Sequence, residues 1–479
     1  MFQQEHDSRR PSTMGESVAS SATSFNGSVH VQFSHDATTS DAGGLVLREA
    51  LDNSGVIAAL EKHLVDTRNP LRVRHSLASQ IRTVVLQRAM GWEDLSDTAL
   101  LGSDPLWQLA CSDARGLSPL NMPRPSQATL SRLITCLSHP RNIDTVHEGL
   151  LHLAIWRLQC LPEVGTYRAD QPVTLDVDGL PIEVFGHQGG SDYNGYAGAR
   201  IYSPLIASIA ETGDMVGGLL REGNAGSAQH ADTWIPHLIQ RLMDGMNRDV
   251  SQFRVRLDAG FTDGVTLQAL DDHAIAYLGR LKSNAVLQEK ASPYLNRPAG
   301  RPPEVPREWY HDLEYQAQSW ASPRRVVLIV QENPNDLLLN TFFLVTNLDR
   351  YHYPPEKVLA LYRQRGKAEA HMGELKTALN LHLSSTDRGT LTVQEVMARN
   401  QVNLLLSLYA YQVLHCVRGV MERRTGQGWS LVKTREQVLK VGATFTVHAR
   451  KVRMRLSAAA NKWWPRLLPG IRRLPPLPG

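Results

Sequence analysis

The sequence predicts an α/β fold, a core of strands and helices between a helical N-terminal region and a helical, basic C-terminal region. Two observations carry the expectation. Apolar residues recur with helical period from Gly43 to about Leu161; beyond it they fall in short strand-like runs separated by helical patterns. Composition sets the limits: 479 residues suffice for several structural units, and 42% hydrophobic with 20% charged residues excludes a disordered chain.

Residues 1–40 are rich in Ser and Thr and are expected to lack structure, apart from an isolated strand at "VHVQF" (Val29 to Phe33). Residues 41–165 read as helical. Within them "MPRPSQATLSRLITCL" opens a helix at Pro125 and Ser126, with Thr129 and Arg132 over its first turns. Small hydroxyls and an Arg at a helix start are what a helix-turn-helix reader presents to a DNA groove. A plain capped helix has the same pattern.

Residues 166–284 change character. "PVTLDVDGLPIEVFG" predicts a strand pair turning at Gly179, and two more strands flank Gly213. A helix at "DTWIPHLIQRLMDGM", a strand at "FRVRLDAGF", a helix at "VTLQALDDHA" and a strand at "IAYLGRLK" follow. Residues 285–350 read as mostly β. Residues 351–425 hold two long helices, the first running unbroken through "PPEKVLALYRQRGKAEAHMGELKTALNL".

The last segment, 426–479, is basic. The whole chain carries 51 Lys and Arg against 47 Asp and Glu, a balance of +4, yet from Gln437 to Gly479 there is no acid. Nine cations stand there, Arg450, Lys451 and Arg453 among them. A one-signed block on a balanced globule points to a polyanion or to a solvated tail. No run approaches the roughly 18 to 20 apolar residues of a membrane span, so no membrane partner is expected. The first residues lack the apolar core of a secretory signal. Four scattered cysteines without a CxxC pair argue against a disulfide scaffold and fit a reducing cytoplasm.

Several carboxylates stand where chemistry would use them. Asp176 and Asp178 share one face of an apolar strand, since side chains alternate. Asp258 ends the apolar strand "FRVRLD" just before Ala259 and Gly260, where open α/β sheets place ligand-binding groups. On the first long helix, Arg365, Tyr362 and Lys376 lie within about 40° of Glu369 around the axis, one polar stripe suited to gripping a phosphate. An exposed salt-bridged helix would show the same stripe.

"YRQRGKAEAHMGELK" resembles the Tyr-(2)-Arg-(3)-Glu-(6)-Lys signature of bacterial insertion-sequence DDE transposases, and Tyr362, Arg365, Glu369 and Lys376 match every spacing. "YNGYAGARIYSPL", "REGNAGSA", "RLDAGF" and "DAGGLVLREAL" are similar to one subgroup of these enzymes, so the likeness spans about residues 40 to 440.

The resemblance implies an RNase H-like catalytic core with a β-rich insertion between the second Asp and the Glu. It implies strand cleavage at the ends of an insertion sequence, then strand transfer, in a cut-and-paste scheme with a hairpin intermediate. Asp176 or Asp178, with Asp258 and Glu369, would hold two Mg²⁺ ions, Mn²⁺ substituting. A hydroxyl residue is usual two positions after the first Asp, which favours Asp178; Leu180 stands there instead, so both remain open. Tyr362, Arg365 and Lys376 would position DNA phosphate, and Trp309, Tyr310 or Trp320 would receive a flipped base. Double-stranded DNA is the implied partner, met at its ends by the N-terminal helical region around Ser126, Thr129 and Arg132 and by Arg450, Lys451 and Arg453, in a homodimer. A nuclease without strand transfer and an inactive DNA-binding relative are the alternatives.

Overall fold

The structure, a computed structural model, describes residues 20–26, 28–32, 36–160, 171–297, 303–334, 336–381, 383, 389–472 and 474. The change of character at about Leu161 and the first 19 residues lie outside them. From residue 20 the chain takes up more strand structure than the one strand expected at "VHVQF". β1 (Ser20–Ala22) and β2 (His30–Gln32) pair antiparallel, so the "VHVQF" strand is not isolated, and β3 (Thr38–Thr39) joins a later sheet.

Helices then follow as the apolar period predicts. They are α1 (Gly44–Asn53), α2 (Val56–His63), α3 (Leu77–Ala89), α4 (Asp97–Leu100), α5 (Pro105–Cys111), α6 (Gln127–Leu137) and α7 (Pro140–Cys160). Leu47, Leu51, Leu60, Ile81, Val85, Leu130 and Leu150 pack into one core with them.

The chain next builds the sheet that positions the site, from β4 (Val173–Gly179), β5 (Ile182–Glu183), β6 (Asp192–Asn194), β7 (Ala199–Tyr202), β8 (Leu205–Ile209) and β9 (Met215–Leu219). After α8 (Ala231–Met246) come β10 (Phe253–Leu257), α9 (Gly264–Asp272) and β11 (Ala276–Leu281). The expected pairing across Gly179 does not form. β4 pairs with β8, and β5 leaves to pair with β7 in a small separate sheet. Pro181, which has no N–H to give to a hairpin ladder, stands in the turn.

The order β9-β8-β4-β10-β11, with the first three strands antiparallel and β10 and β11 parallel to β4, is an RNase H-like core. Its sheet does not stop there. α10 (Ala285–Ala291), β12 (Arg307–Tyr315), β13 (Arg324–Glu332) and β14 (Asn340–Thr346) form the β-rich insertion, and β14 hydrogen-bonds antiparallel to β11. The insertion thus extends the core into one eight-stranded sheet.

One face of that sheet is apolar. Val173, Leu175, Val177, Phe253, Val255 and Leu257 pack on Ile235, Leu238, Leu242, Leu267 and Leu270 of α8 and α9. The opposite face, carrying Asp176 and Arg256, meets the helices that follow.

The first of these is split, where one unbroken helix was predicted. α11 (Pro355–Arg363) ends and α12 (Gly366–Leu379) begins around Gln364 and Arg365, where the Arg365 N–H bonds three residues back to the Tyr362 carbonyl. That tighter turn interrupts the α-helical hydrogen-bonding between the two halves. The other helix, α13 (Val393–Thr425), opens with a Thr392/Glu395 capping box and runs 33 residues. It is long and apolar enough to cross a membrane, but that apolar stretch is wholly buried inside the fold. α13 closes the sheet edge at β9: Gln401 accepts from the Leu220 N–H and donates to the Gly218 carbonyl, and Gln412 accepts from Met215. Side-chain amides thus satisfy an edge that would otherwise be open. Gly218 permits the approach, since a Cβ there would stand 2.8 Å from Leu408.

The C-terminal segment is α14 (Leu431–Thr434), β15 (Ala443–His448), β16 (Lys451–Leu456) and α15 (Trp464–Arg472). Helices are present as expected; the hairpin between them is not foreseen. β15 also pairs with β3, so the chain's two ends share a sheet.

Candidate active site

β4 and β10 lie side by side and parallel with Arg256 opposite Asp176, so two residues on, Asp178 and Asp258 become neighbours at the strands' carboxyl ends. That register decides which acid reaches the opening. Asp176 stays inside, 1% exposed, and accepts hydrogen bonds from Arg256 Nε and Nη2, both at 2.6 Å. Arg256 Nη1 donates to the Leu361 carbonyl, tying α11 to the sheet. Burial still holds the Asp176 pKa above its ordinary value, outweighing the Arg256 guanidinium.

Asp178 lies in a different setting. Its side chain is 27% exposed. Oδ1 accepts the Gly179 N–H at 2.8 Å, and Oδ2 accepts Arg365 Nη2 at 2.7 Å. Arg365 Nη1 donates to Glu369 Oε1, also at 2.7 Å, so one guanidinium bridges a strand carboxylate and a helix carboxylate. Asp258 completes the group, its Oδ1 accepting the Gly260 N–H at 2.7 Å. Burial raises the Asp178 pKa; Arg365 opposes the rise, and the nearby Asp258 and Glu369 charges add to it. Tyr362 stands in the same field: burial first, then Asp258 and Glu369, keep its phenol protonated above the usual range against the pull of Arg365 and Arg280.

Arg365 thus contacts two of the three carboxylates, Asp178 and Glu369, while Asp258 acts on it only through space, so negative charge is in excess. The donors are all carboxylate oxygens, the hard ligands a divalent ion such as Mg²⁺ takes. The residues fit such an ion in chemistry and charge. Among the described residues, no three His, Cys, Asp or Glu side chains already stand together as a ready ligand set; Arg365 is what Asp178 and Glu369 share.

The other residues singled out from the sequence divide. Lys376 is exposed on α12, without an ion pair among the described residues. Tyr310 joins the small core of Leu278, Val358 and Leu359 beside Tyr362 and donates to Glu308. Trp309 and Trp320 pack in the core on the sheet's other face, Trp320 edge-on to Tyr315. Ser126 caps α6 by accepting the Thr129 N–H, and Arg132 donates to the Ala128 carbonyl. Ser126, Thr129 and Arg132 border a groove with Arg68, Arg72 and Arg74. Arg450, Lys451 and Arg453 form the tip and one strand of the β15–β16 hairpin.

Two features escape a reading of the sequence. Arg256 is one; the alternation Arg254, Arg256, Asp258 in an apolar strand was the available signal. The other is a buried polar network under α12. Glu374 of α12 accepts from Arg418 of α13 and from the Leu431 N–H. Arg418 Nε donates to His415 Nδ1 at 3.0 Å, and Asp214 bonds Arg157 and Gln412. Burial, with Arg418 and Arg157 close by, keeps His415 neutral well below its usual range. This network fixes the helix carrying Glu369 against α13.

A search of curated proteins finds no match. Among solved structures, the chain is similar to the cryo-EM structure of a piggyBac transposase synaptic complex with hairpin DNA. The identity is 13% and the TM-score 0.40, over 93% of this chain and 89% of that one, too distant to inform individual residues. The family model described as transposase DDE domain group 1 matches residues 21–474, and the chain belongs to that family of transposases.

Proposed function

We propose that this transposase binds the ends of an insertion sequence in double-stranded DNA, cleaves there, and transfers the freed strand by cut and paste through a hairpin intermediate. The observation that carries the reading is that Asp178 and Asp258 are neighbours at the carboxyl ends of β4 and β10, and that Arg365 joins Asp178 to Glu369. Asp178 takes the role of first Asp, because Asp176 is committed to Arg256.

Asp178, Asp258 and Glu369 would hold two Mg²⁺ ions, or Mn²⁺ in their place. Bound there, the ions would activate the attacking oxygen and neutralise the leaving one. Arg365 is placed to pass from its carboxylates to a DNA phosphate, which it can grip through two N–H groups. Tyr362, held as a phenol, can donate to a phosphate oxygen, and Lys376 meets the backbone farther along α12. Cleavage consumes water and leaves a 3′-hydroxyl. Attack of that hydroxyl on another phosphodiester forms one P–O bond and breaks one, so no energy-carrying cofactor is needed. Two ends must meet in one complex, which argues for a homodimer on DNA, working in the bacterial cytoplasm.

The test is nicking of supercoiled DNA with Mg²⁺. Wild type nicks, while Glu369→Gln and Asp258→Asn lose about 10²- to 10³-fold or more. If Glu369→Gln cuts as fast as wild type, the site is wrongly placed.

A further inference from the structure

We propose that the β15–β16 hairpin is a duplex-DNA-binding ribbon, with Lys451, Arg453 and Arg455 on phosphates and Arg450 at its tip; this rests on the transposase reading above. The hairpin has two unlike faces. Ala443, Phe445, Met454 and Leu456 dock its base on the main core. Lys451, Arg453 and Arg455 alternate along β16 on the other face, all exposed, opposite the polar residues His448, Thr446 and Thr444. Alternate residues on a strand stand about 6.8 Å apart, so the three cations form a straight row.

Among the described residues, no ion pair neutralises that row. No acid occurs after Glu436, and Glu436 is already paired with Arg435 and Lys440. Among the described residues, none of Arg450, Lys451, Arg453 and Arg455 has an ion pair. The distal half stands clear of the body, since Val447 is 55% exposed although it lies on the docking face. A two-stranded ribbon is one of the elements a DNA major groove admits.

The tip is also fixed. Ala449 and Arg450 both take left-handed backbone, φ 49° and 60°, as a tight two-residue hairpin turn requires. Such turns usually use Gly or Asn; this one holds an Arg where Gly would be easiest, which aims a cation off the ribbon's end. The long-range partner that fits four unpaired cations on a projecting ribbon is the sugar-phosphate backbone of a duplex.

The experiment measures binding of the full-length protein to a labelled duplex of arbitrary sequence across a series of KCl concentrations. The triple variant Lys451→Gln, Arg453→Gln, Arg455→Gln is expected to bind more weakly, and its log-affinity against log-salt slope to shrink by about 2.7, or 0.9 per lost phosphate contact. The charge-keeping triple Lys451→Arg, Arg453→Lys, Arg455→Lys restores the slope. Arg450→Gly, which relaxes the turn, binds more weakly with the hairpin intact. A wild-type slope in the triple Gln variant overturns the proposal, as does failure of wild type to bind duplex DNA. Nicking by wild type and Glu369→Gln, run in parallel, judges the catalytic reading separately: an unchanged slope beside normal nicking removes the ribbon alone. A reduced slope in protein whose nicking ignores Glu369→Gln keeps the ribbon and removes the site.

Discussion

Asp176 and Asp178 stand two residues apart on one face of one strand, yet the fold treats them in opposite ways. Asp176 is sealed in and answered by a bidentate guanidinium that also anchors α11. Asp178 is a step closer to the opening, shares its Arg365 with Glu369, and lies within the field of Asp258. A paired buried charge holds structure; a shared, under-neutralised charge leaves room for a cation from outside. One pleat of a strand thus separates an acid paired inside the fold from one that faces the candidate site.

The widest separation between the two acids is in catalysis. Asp178→Asn is expected to lose about 10²- to 10³-fold in Mg²⁺-dependent nicking. Equal loss with Asp176→Asn in protein of unchanged melting temperature would erase the distinction. Stability inverts the ranking. Asp176→Ala leaves Arg256 charged and buried, costing about 3–5 kcal/mol, and the double replacement Asp176→Leu, Arg256→Met recovers most of it. Thermal or urea unfolding of the single and double variants reads this directly.

The network beneath α12 makes stability depend on pH. His415 is neutral in the fold, hemmed by Arg418, Arg157 and His371 with Asp214 nearby, but protonates near pH 6.5 when unfolded. Its contribution is therefore present above about pH 6.5 and falls below it, by up to about 1.4 kcal/mol per pH unit. The buried acids Asp176 and Asp178, whose pKa values are raised, act oppositely, losing stability as pH rises through their folded values. Comparing wild type with His415→Gln isolates the histidine: the variant should lose the decline below pH 6.5. The smallest effect returns to Asp178. Removing its charge in Asp178→Asn relieves repulsion with Asp258 and Glu369 and should stabilise the protein by about 0.5–1 kcal/mol at neutral pH. A lower melting temperature would mean that the Arg365 pair outweighs that repulsion.

Much of the candidate site was legible in one dimension. Asp258 is marked by its apolar strand and glycine turn, and Tyr362, Arg365 and Glu369 by spacing. The choice between Asp176 and Asp178 was not, because period-two alternation puts both on the same face. It takes the β4–β10 register, which brings Arg256 to Asp176 across 80 residues of chain. Tyr362 shows the limit from the other side: it keeps its place in the spacing pattern while the break at Gln364 and Arg365 leaves it on α11, apart from Glu369 and Lys376 on α12.

Local order determined much of what can be recognised: the helical N-terminal region, the strands and their apolar face, the long helices, and the acids and cations with their spacing. Periodicity and capping act over a few residues, so they are written in the chain. Tertiary structure alone decided that β5 leaves β4, that the insertion continues the core sheet, that α13 closes the sheet edge with glutamine side chains, and that the basic tail carries a hairpin anchored to β3. Each depends on partners far apart in the chain, whose hydrogen bonds and charges are satisfied only when those partners meet.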